Sequence, residues 1–351
     1  MKIALLNDTH FGARNDSIIF DDYFHKFYDD IFFPYIQEHN IKTLIHLGDI
    51  VDRRKFINFR IAHNFRNKFM CRLWQHKIDT HILVGNHDIY YRNTNKVNAV
   101  QELCTAPDGI HEPFIYEDPK VVDFDGLKIL MVPWMNPENE KQIIEVLNTA
   151  EADICMGHFD LNGFRMMDAM VQTHGYDKKI VQRFEKTFSG HFHHKNDDGQ
   201  VFYLGSQYEM TWSDYNNQKG FHVFDTDTRE IEFIPNPYTI FAKIKYDDTE
   251  TNYDKFDVTD YNGNVVVSLY FKAITRADRA RATQRAGSDD PLIVSTHMLC
   301  QLAEKEDGTK AFHPADFANL QNELPENVLN EIELFLFGVN QNATIDNVKE
   351  S

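Results

Sequence analysis

Five short polar clusters carry the residues able to do chemistry: Asp8-Thr9-His10, Gly48-Asp49, Gly85-Asn86-His87-Asp88, Gly157-His158 and Gly190-His191-Phe192-His193. Their donors are carboxylate, amide oxygen and imidazole, with no thiolate. That hard-to-borderline set suits manganese, iron or zinc. A pair of ions roughly 3.5–4 Å apart needs one bridging carboxylate and several terminal ligands each, and such a pair activates water for in-line attack on phosphorus. Asp49 is the natural bridge, and six terminal ligands remain for two ions. A lone Asp-x-His or a Gly-Asp turn is common without metal. Gly-Asn-His-Asp and Gly-His-x-His are more specific, and the ordered set of five leaves little room for a purely structural explanation. His46, His174 and His194 gain no such support and read as core or surface histidines.

Each cluster directly follows a strand-length apolar run, so strands must position them. The runs are Lys2–Leu6, Thr43–Leu47, His81–Val84, Lys128–Val132, Asp153–Met156 and Thr187–Ser189. Ligands of open α/β sheets collect outside the carboxyl ends of the strands, which would aim five sets of side chains at one place. Glycine at four of the clusters is expected to let the backbone turn sharply. Between the early strands, Phe20, Tyr23, Phe24, Phe27, Ile31 and Tyr35 recur at helical spacing, as do Ile57, Ile61, Phe65, Phe69 and Leu73. These stripes predict core-facing helices, so the first 237 residues read as α/β.

Beyond Pro235 and Pro237 the character changes. A β-rich segment at Val265–Phe271 predicts a small appended module over 238–290, and Arg276 to Pro291 has the polarity of a linker. The stretch 291–351 predicts a helical tail, with patterns at Thr296–Glu304 and Glu326–Phe337; Val328, Ile332, Phe335 and Leu336 share one face.

The bulk numbers describe a soluble globular protein: 351 residues, 42% hydrophobic and 26% charged. No run approaches the roughly 18 apolar residues of a membrane helix, and the first strand starts almost at Met1, which leaves no room for a signal peptide. Four scattered cysteines read as reduced thiols, as in a cytoplasm. The net charge of −18 counts against nucleic-acid binding. Bound divalent ions would convert an acidic site into a phosphate-binding one. The stretch Arg53 to Ile78 has no acid and eight basic residues, Arg53, Arg54, Lys55, Arg60, Arg66, Lys68, Arg72 and Lys77. Arg53, Arg54 and Lys55 follow closely on Asp49 and are candidate DNA contacts. A solvated helix or a subunit contact explains the stretch equally well.

The clusters in this order resemble the calcineurin-like metallophosphoesterases over roughly residues 1–235. Within them the chain resembles the nuclease subunit of double-strand-break repair complexes of the SbcCD and T-even-phage type. The segments that carry this are Leu-Asn-Asp-Thr-His-Phe-Gly at 6–12, His-Leu-Gly-Asp-Ile-Val-Asp-Arg-Arg-Lys at 46–55 and Val-Gly-Asn-His-Asp at 84–88. They continue with Val-Pro-Trp-Met at 132–135, Gly-His-Phe-Asp-Leu-Asn-Gly at 157–163 and Ser-Gly-His-Phe-His at 189–193. The resemblance implies a β-sandwich flanked by helices in α-β-β-α layers, with a small α+β capping module and a helical tail. It implies one metal on Asp8, His10, Asp49 and His193 and a second on Asp49, Asn86, His158 and His191. His87 would serve the departing oxygen instead of binding metal. It further implies two divalent ions (Mn2+ above all, with Mg2+, Fe2+ or Zn2+ also compatible), a homodimer, and an ABC-type coiled-coil ATPase docked on the tail. Packing within the chain is the alternative for that tail. Position 52 is Asp where archaeal and eukaryotic members carry a histidine, and Gln207 stands where a proline is usual. The activity implied is duplex exonuclease and single-strand endonuclease cleavage of DNA. A stand-alone phosphatase or cyclic-nucleotide phosphodiesterase with the same centre, or a DNA-end-binding scaffold with a vestigial site, are the rival readings.

Overall fold

A computed structural model describes residues 1–106, 110–167, 170–247 and 266–272. The chain divides into two compact units, Met1–Tyr238 and Thr239–Ser351.

The first unit starts with β1 (Lys2–Leu6), β2 (Thr43–His46), β3 (Asp79–Leu83) and β4 (Phe114–Tyr116), paired in parallel in that order. The chain then builds a second sheet from β5 (Lys120–Phe124), β6 (Leu127–Val132) and β7 (Ile154–His158). After a small hairpin of β8 (Arg165–Met167) and β9 (Met170–Val171) it adds β10 (Lys186–Gly190), β11 (Asn196–Asp197) and β12 (Val201–Tyr203). It returns to the first sheet with β13 (Gly220–Asp225), antiparallel to β1, and β14 (Ile231–Pro235). Two six-stranded sheets result, β14-β13-β1-β2-β3-β4 and β11-β12-β10-β7-β6-β5. The residue pattern alone suggested a single open sheet. The sandwich implied by family resemblance is what forms.

Alternation along the strands explains the layers. Ile3 and Leu5, Ile45 and Leu47, and Leu83 meet Ile129, Met131, Ile154, Met156 and Phe188 in the inter-sheet core. Each fully buried side chain of this kind contributes about 1.5–3 kcal/mol. On the far side of the second sheet, Leu130, Val132, Cys155 and Val201 pack on Ile143 and Leu147 of the helix Glu140–Thr149. The far side of the first sheet is covered by aromatic helices, with Phe27 and Phe32 each in ring contact with Phe221 of β13.

The long helix between β1 and β2 departs from its predicted stripe. It runs through Ile18–Phe27, a wider π-turn at Tyr28–Phe32, and Phe33–Glu38. Phe33 N–H bonds Tyr28 O, five residues back. Pro34 follows, with no N–H to continue the regular ladder. The extra residue advances the phase, so Phe32, Phe33 and Ile36 are buried while Ile31 and Tyr35 are only half-buried. A second π-turn, Phe65–Met70, interrupts the helix Phe59–Asn64 and Cys71–Gln75.

In the second unit, β15 (Phe241–Asp247) pairs in parallel with β16 (Val266–Lys272), in line with the β-rich segment read at Val265–Phe271. The linker and the helical tail of the sequence reading lie outside the described residues.

Candidate metal centre

The carboxyl ends of β1, β2 and β3 from one sheet, and of β7 and β10 from the other, open onto one edge of the sandwich. Asp8, Asp49 and Asn86 come from the first group and His158 and His191 from the second, each at or just beyond a strand end. Three overlapping trios place their donor atoms within 4.8 Å of one another: Asp8–His10–His193, His10–Asp49–His87 and Asp49–His158–His191. Asn86 joins the last, with its Oδ1 2.9 Å from His158 Nε2. All seven residues read from the sequence as ligands therefore converge, and His87 lies beside them.

Backbone strain fixes the directions. Asp8 (φ 50°), His10 (φ 40°), Asp49 (φ 57°) and His191 (φ 86°) all sit in left-handed conformations. Each costs on the order of 1 kcal/mol and persists only because neighbouring structure enforces it. Glycine does less turning than expected. Gly48 (φ 96°) turns the chain, but Gly85 is needed for space, since a Cβ there would lie 2.3 Å from Asp49 N and Oδ1.

Asp88, the last residue of the Gly85-Asn86-His87-Asp88 cluster, is the enforcer. It is fully buried; its Oδ2 accepts the N–H groups of Asp49 (2.9 Å) and Gly85 (2.8 Å), and its Oδ1 those of Ile50 (2.8 Å) and Val51 (3.2 Å). Burial, reinforced by the charge of Asp49, pushes its carboxyl up to about 6. Asp8 is held by Asn7 Nδ2 (2.6 Å) and by His191 N–H (2.9 and 3.1 Å), and Asp49 accepts His87 N–H at 2.7 Å. His46 belongs to this scaffold too, accepting Gly48 N–H at 3.2 Å and facing Thr9 Oγ1 at 3.1 Å.

The imidazoles are oriented from behind. His158 Nδ1 donates to Leu47 O at 2.7 Å, so Nε2 faces Asp49 Oδ2 at 3.3 Å. Asp52 Oδ1 lies 3.4 Å from His10 Nδ1, and His10 Nε2 faces His193 Nε2 at 3.1 Å. Asp52, which stands where some relatives carry a histidine, thus places a carboxylate beside His10 and favours its protonated ring. Its carbonyl also meets His87 Nδ1 at 2.5 Å. Lys219, 3% exposed, donates to His193 O and to Asp214 Oδ1, both at 2.7 Å, and pins the loop behind His193. Trp134 of the Pro-Trp pair packs its ring 5.1 Å from that of His191 and 5.8 Å from that of His158.

The electrostatics are those of a site that wants cations. Burial would lower His10 and His158, but for His10 the carboxylates of Asp52, Asp49 and Asp8, and for His158 those of Asp49 and Asp8, push both up to about 9. Burial would raise Asp49, yet the surrounding His158, His87 and His10 hold it well below the usual carboxylate range. Burial, with His158 beside it, takes His191 down to about 3, keeping its lone pairs available. Facing imidazole nitrogens and crowded carboxylates, each oriented from behind, fit a pair of metal ions.

The family model "Calcineurin-like phosphoesterase" matches residues 1–195. The chain belongs to this family. Its members hydrolyse phosphate esters at dinuclear metal sites, and this chain is a metallophosphoesterase. It is 34% identical over 279 residues, 79% of each chain, to "Exonuclease subunit 1" of Enterobacteria phage T4. A solved structure titled as that of an archaeal phosphodiesterase aligns with 67% of this chain and 100% of its own, at 17% identity and a TM-score of 0.33.

The basic stretch reads differently in three dimensions. Arg53 pairs with Asp16, Arg60 bonds Asp16 O and faces Asp21, Lys68 lies 3.8 Å from Asp22, and Arg72 pairs with Asp29. Arg66 and Arg72 also lie over the rings of Trp74 and Phe33. The acid-free helix is largely the complement of the acid-bearing helix before it. Of the three candidate DNA contacts, only Arg54 and Lys55 have no ion pair among the described residues.

Proposed function

We propose that this metallophosphoesterase is a manganese-dependent DNA nuclease, an exonuclease on duplex ends and an endonuclease on single strands, working as a subunit of a recombination, repair and replication complex. The observation that carries the reading is Asp49, a buried carboxylate shared by two trios of donors, with His87 beside it. The nuclease name of the phage T4 relative supports DNA as the substrate.

In this reading Asp8, His10, Asp49 and His193 hold one ion, and Asp49, Asn86, His158 and His191 the other. Two divalent ions supply Lewis-acid activation of water and neutralise phosphate charge. The chain's own groups do the rest. Leu47 O keeps the His158 proton on Nδ1, so that ring offers Nε2 inward, and the Asp52 carboxylate lies beside Nδ1 of His10. His87, tethered through Nδ1 to Asp52 O, leaves Nε2 facing the centre, where in its imidazolium form it gives the Nε2 proton to the departing oxygen and is left neutral. Among the described residues no helix is long and apolar enough to cross a membrane, and we assign the protein to the cytoplasm of a phage-infected host.

The further organisation is part of the same proposal. Residues 1–237 form the nuclease domain, 238–290 a capping module that contacts DNA, and 291–351 a tail that docks an ABC-type coiled-coil ATPase, with two copies of the chain per complex. The test is incubation with manganese and end-labelled duplex and single-stranded DNA, with and without the ATPase. Cleavage of the labelled strands supports the reading. Intact DNA alongside rapid hydrolysis of a phosphomonoester or a cyclic nucleotide overturns it in favour of a stand-alone phosphatase or phosphodiesterase. Binding of ends without hydrolysis of any ester overturns it in favour of a scaffold.

A further inference from the structure

Beside His87 lies an aromatic surface that folding does not explain. Phe56, Tyr90 and Tyr91 are 63%, 39% and 53% exposed, although large apolar side chains are normally drawn inward. They are interleaved with cations: the Arg53 guanidinium lies 4.5 Å from the Phe56 ring centroid and Lys55 Nζ 5.7 Å from that of Tyr90. The Tyr90 and Tyr91 rings meet edge to face at 4.7 Å. Arg54 lies between Arg53 and Lys55 in the chain, five residues after Asp49. Unlike Arg53, which Asp16 neutralises, Arg54, Lys55 and Arg92 have no ion pair among the described residues.

We propose that Phe56, Tyr90 and Tyr91 form a ridge on which unpaired bases of a DNA strand stack on their way to the metal centre, with Arg54, Lys55 and Arg92 holding its phosphates. The inference rests on the nuclease reading and names the form of DNA the site takes. The physical reason is the pairing of two features. Cations alone suffice to hold a duplex, whose bases are already stacked on one another. Exposed ring faces add binding only to bases free to leave their own stack, and they do so whatever the sequence, because every base has a π face. Position strengthens the case. Tyr90 is three residues from His87, a span of at most roughly 11 Å of chain. A strand peeled from a duplex end can therefore rest on the ridge while its backbone reaches the ions.

The test is fluorescence anisotropy of the purified full chain, in chelator to prevent cutting, with a labelled oligothymidylate and a blunt duplex of equal length. Tyr90→Ala combined with Tyr91→Ala should weaken single-strand binding at least about tenfold, the loss expected for about one to two stacked bases, while duplex affinity moves less than about twofold. Tyr90→Phe, which keeps the ring, should retain wild-type binding. A 2-aminopurine base in the oligonucleotide should be quenched by the wild type and not by the double variant. Equal losses on both substrates, or none on either, overturn the ridge, as does a double variant that changes the oligomeric state with single-strand affinity intact. If the wild type itself neither binds nor cuts DNA, the nuclease reading falls and takes the ridge with it. A wild type that cuts DNA beside a double variant with unchanged binding removes the ridge alone.

Discussion

Asp88 lies behind the proposed metal site and should matter nearly as much as a ligand. Its two oxygens accept four buried N–H groups, from Asp49, Ile50, Val51 and Gly85. Asp88→Asn keeps one oxygen, so two of the four donors face an amide that can only donate. Each buried donor left without an acceptor costs about 1–3 kcal/mol, for a total near 2–6 kcal/mol. Set against the roughly 5–15 kcal/mol that holds a typical domain, that is a large share, yet it leaves a folded protein to measure. The second effect is local. Asp49 sits at φ 57°, a conformation its N–H bond to Asp88 helps enforce. Loosening it moves the proposed bridging carboxylate, and losses behind a ligand typically lower metal affinity about 10–100-fold. Urea denaturation of the metal-free protein reads the first effect, and manganese titration reads the second. A stability loss under about 0.5 kcal/mol, the level of an ordinary surface change, with unaltered manganese affinity would refute the scaffold role.

Three further outcomes are expected. Burial opposes the charge of Asp214, but His194, Lys219 and His193 hold its carboxyl well below the usual range. Its contribution is therefore complete above the unfolded value of about 3.9 and is lost as pH falls below it. Urea midpoints between pH 6 and 3 should show that acid-side fall, and Asp214→Asn should flatten it; an unchanged pH slope contradicts the assignment. Arg54→Ala with Lys55→Ala should reduce the salt slope of duplex binding by about one to two, whereas Lys68→Ala with Arg72→Ala, whose cations already face Asp22 and Asp29, should leave it unchanged. Equal slopes for the first pair and the wild type would show that these cations do not touch phosphate. His87→Ala should abolish cleavage with metal content nearly unchanged, and loss of ions on dialysis would make His87 a ligand instead.

The seven donors were legible because each follows a strand whose own residues announce it. Lys2–Leu6 is read residue for residue, and Asp8 and His10 come directly after it. What surrounds them was not legible, because it depends on partners far away in the chain. Asp88 reads as one more polar residue of its cluster until its oxygens are seen capping a turn 37 to 39 residues upstream. The same holds for Lys219 behind His193, 26 residues apart. The eight cations after Asp49 read as a candidate DNA surface because the acids that face half of them, Asp16, Asp21, Asp22 and Asp29, lie earlier in the chain. The second sheet does leave a local signal. Asp125 (φ 57°) and Gly126 (φ 88°) form the Asp-Gly turn that joins β5 to β6, a strong hairpin signal. A constant helical period fits the aromatic stripe of the first helix only as far as the π-turn before Pro34, which shifts that period by one residue.

The most direct test of the centre is a metal count on the dialysed protein. Wild-type chain equilibrated with manganese should carry two ions, and Asp49→Ala, which removes a donor from both proposed sites, should carry fewer than one. Two ions retained by Asp49→Ala would contradict the shared carboxylate and the two-metal account built on it.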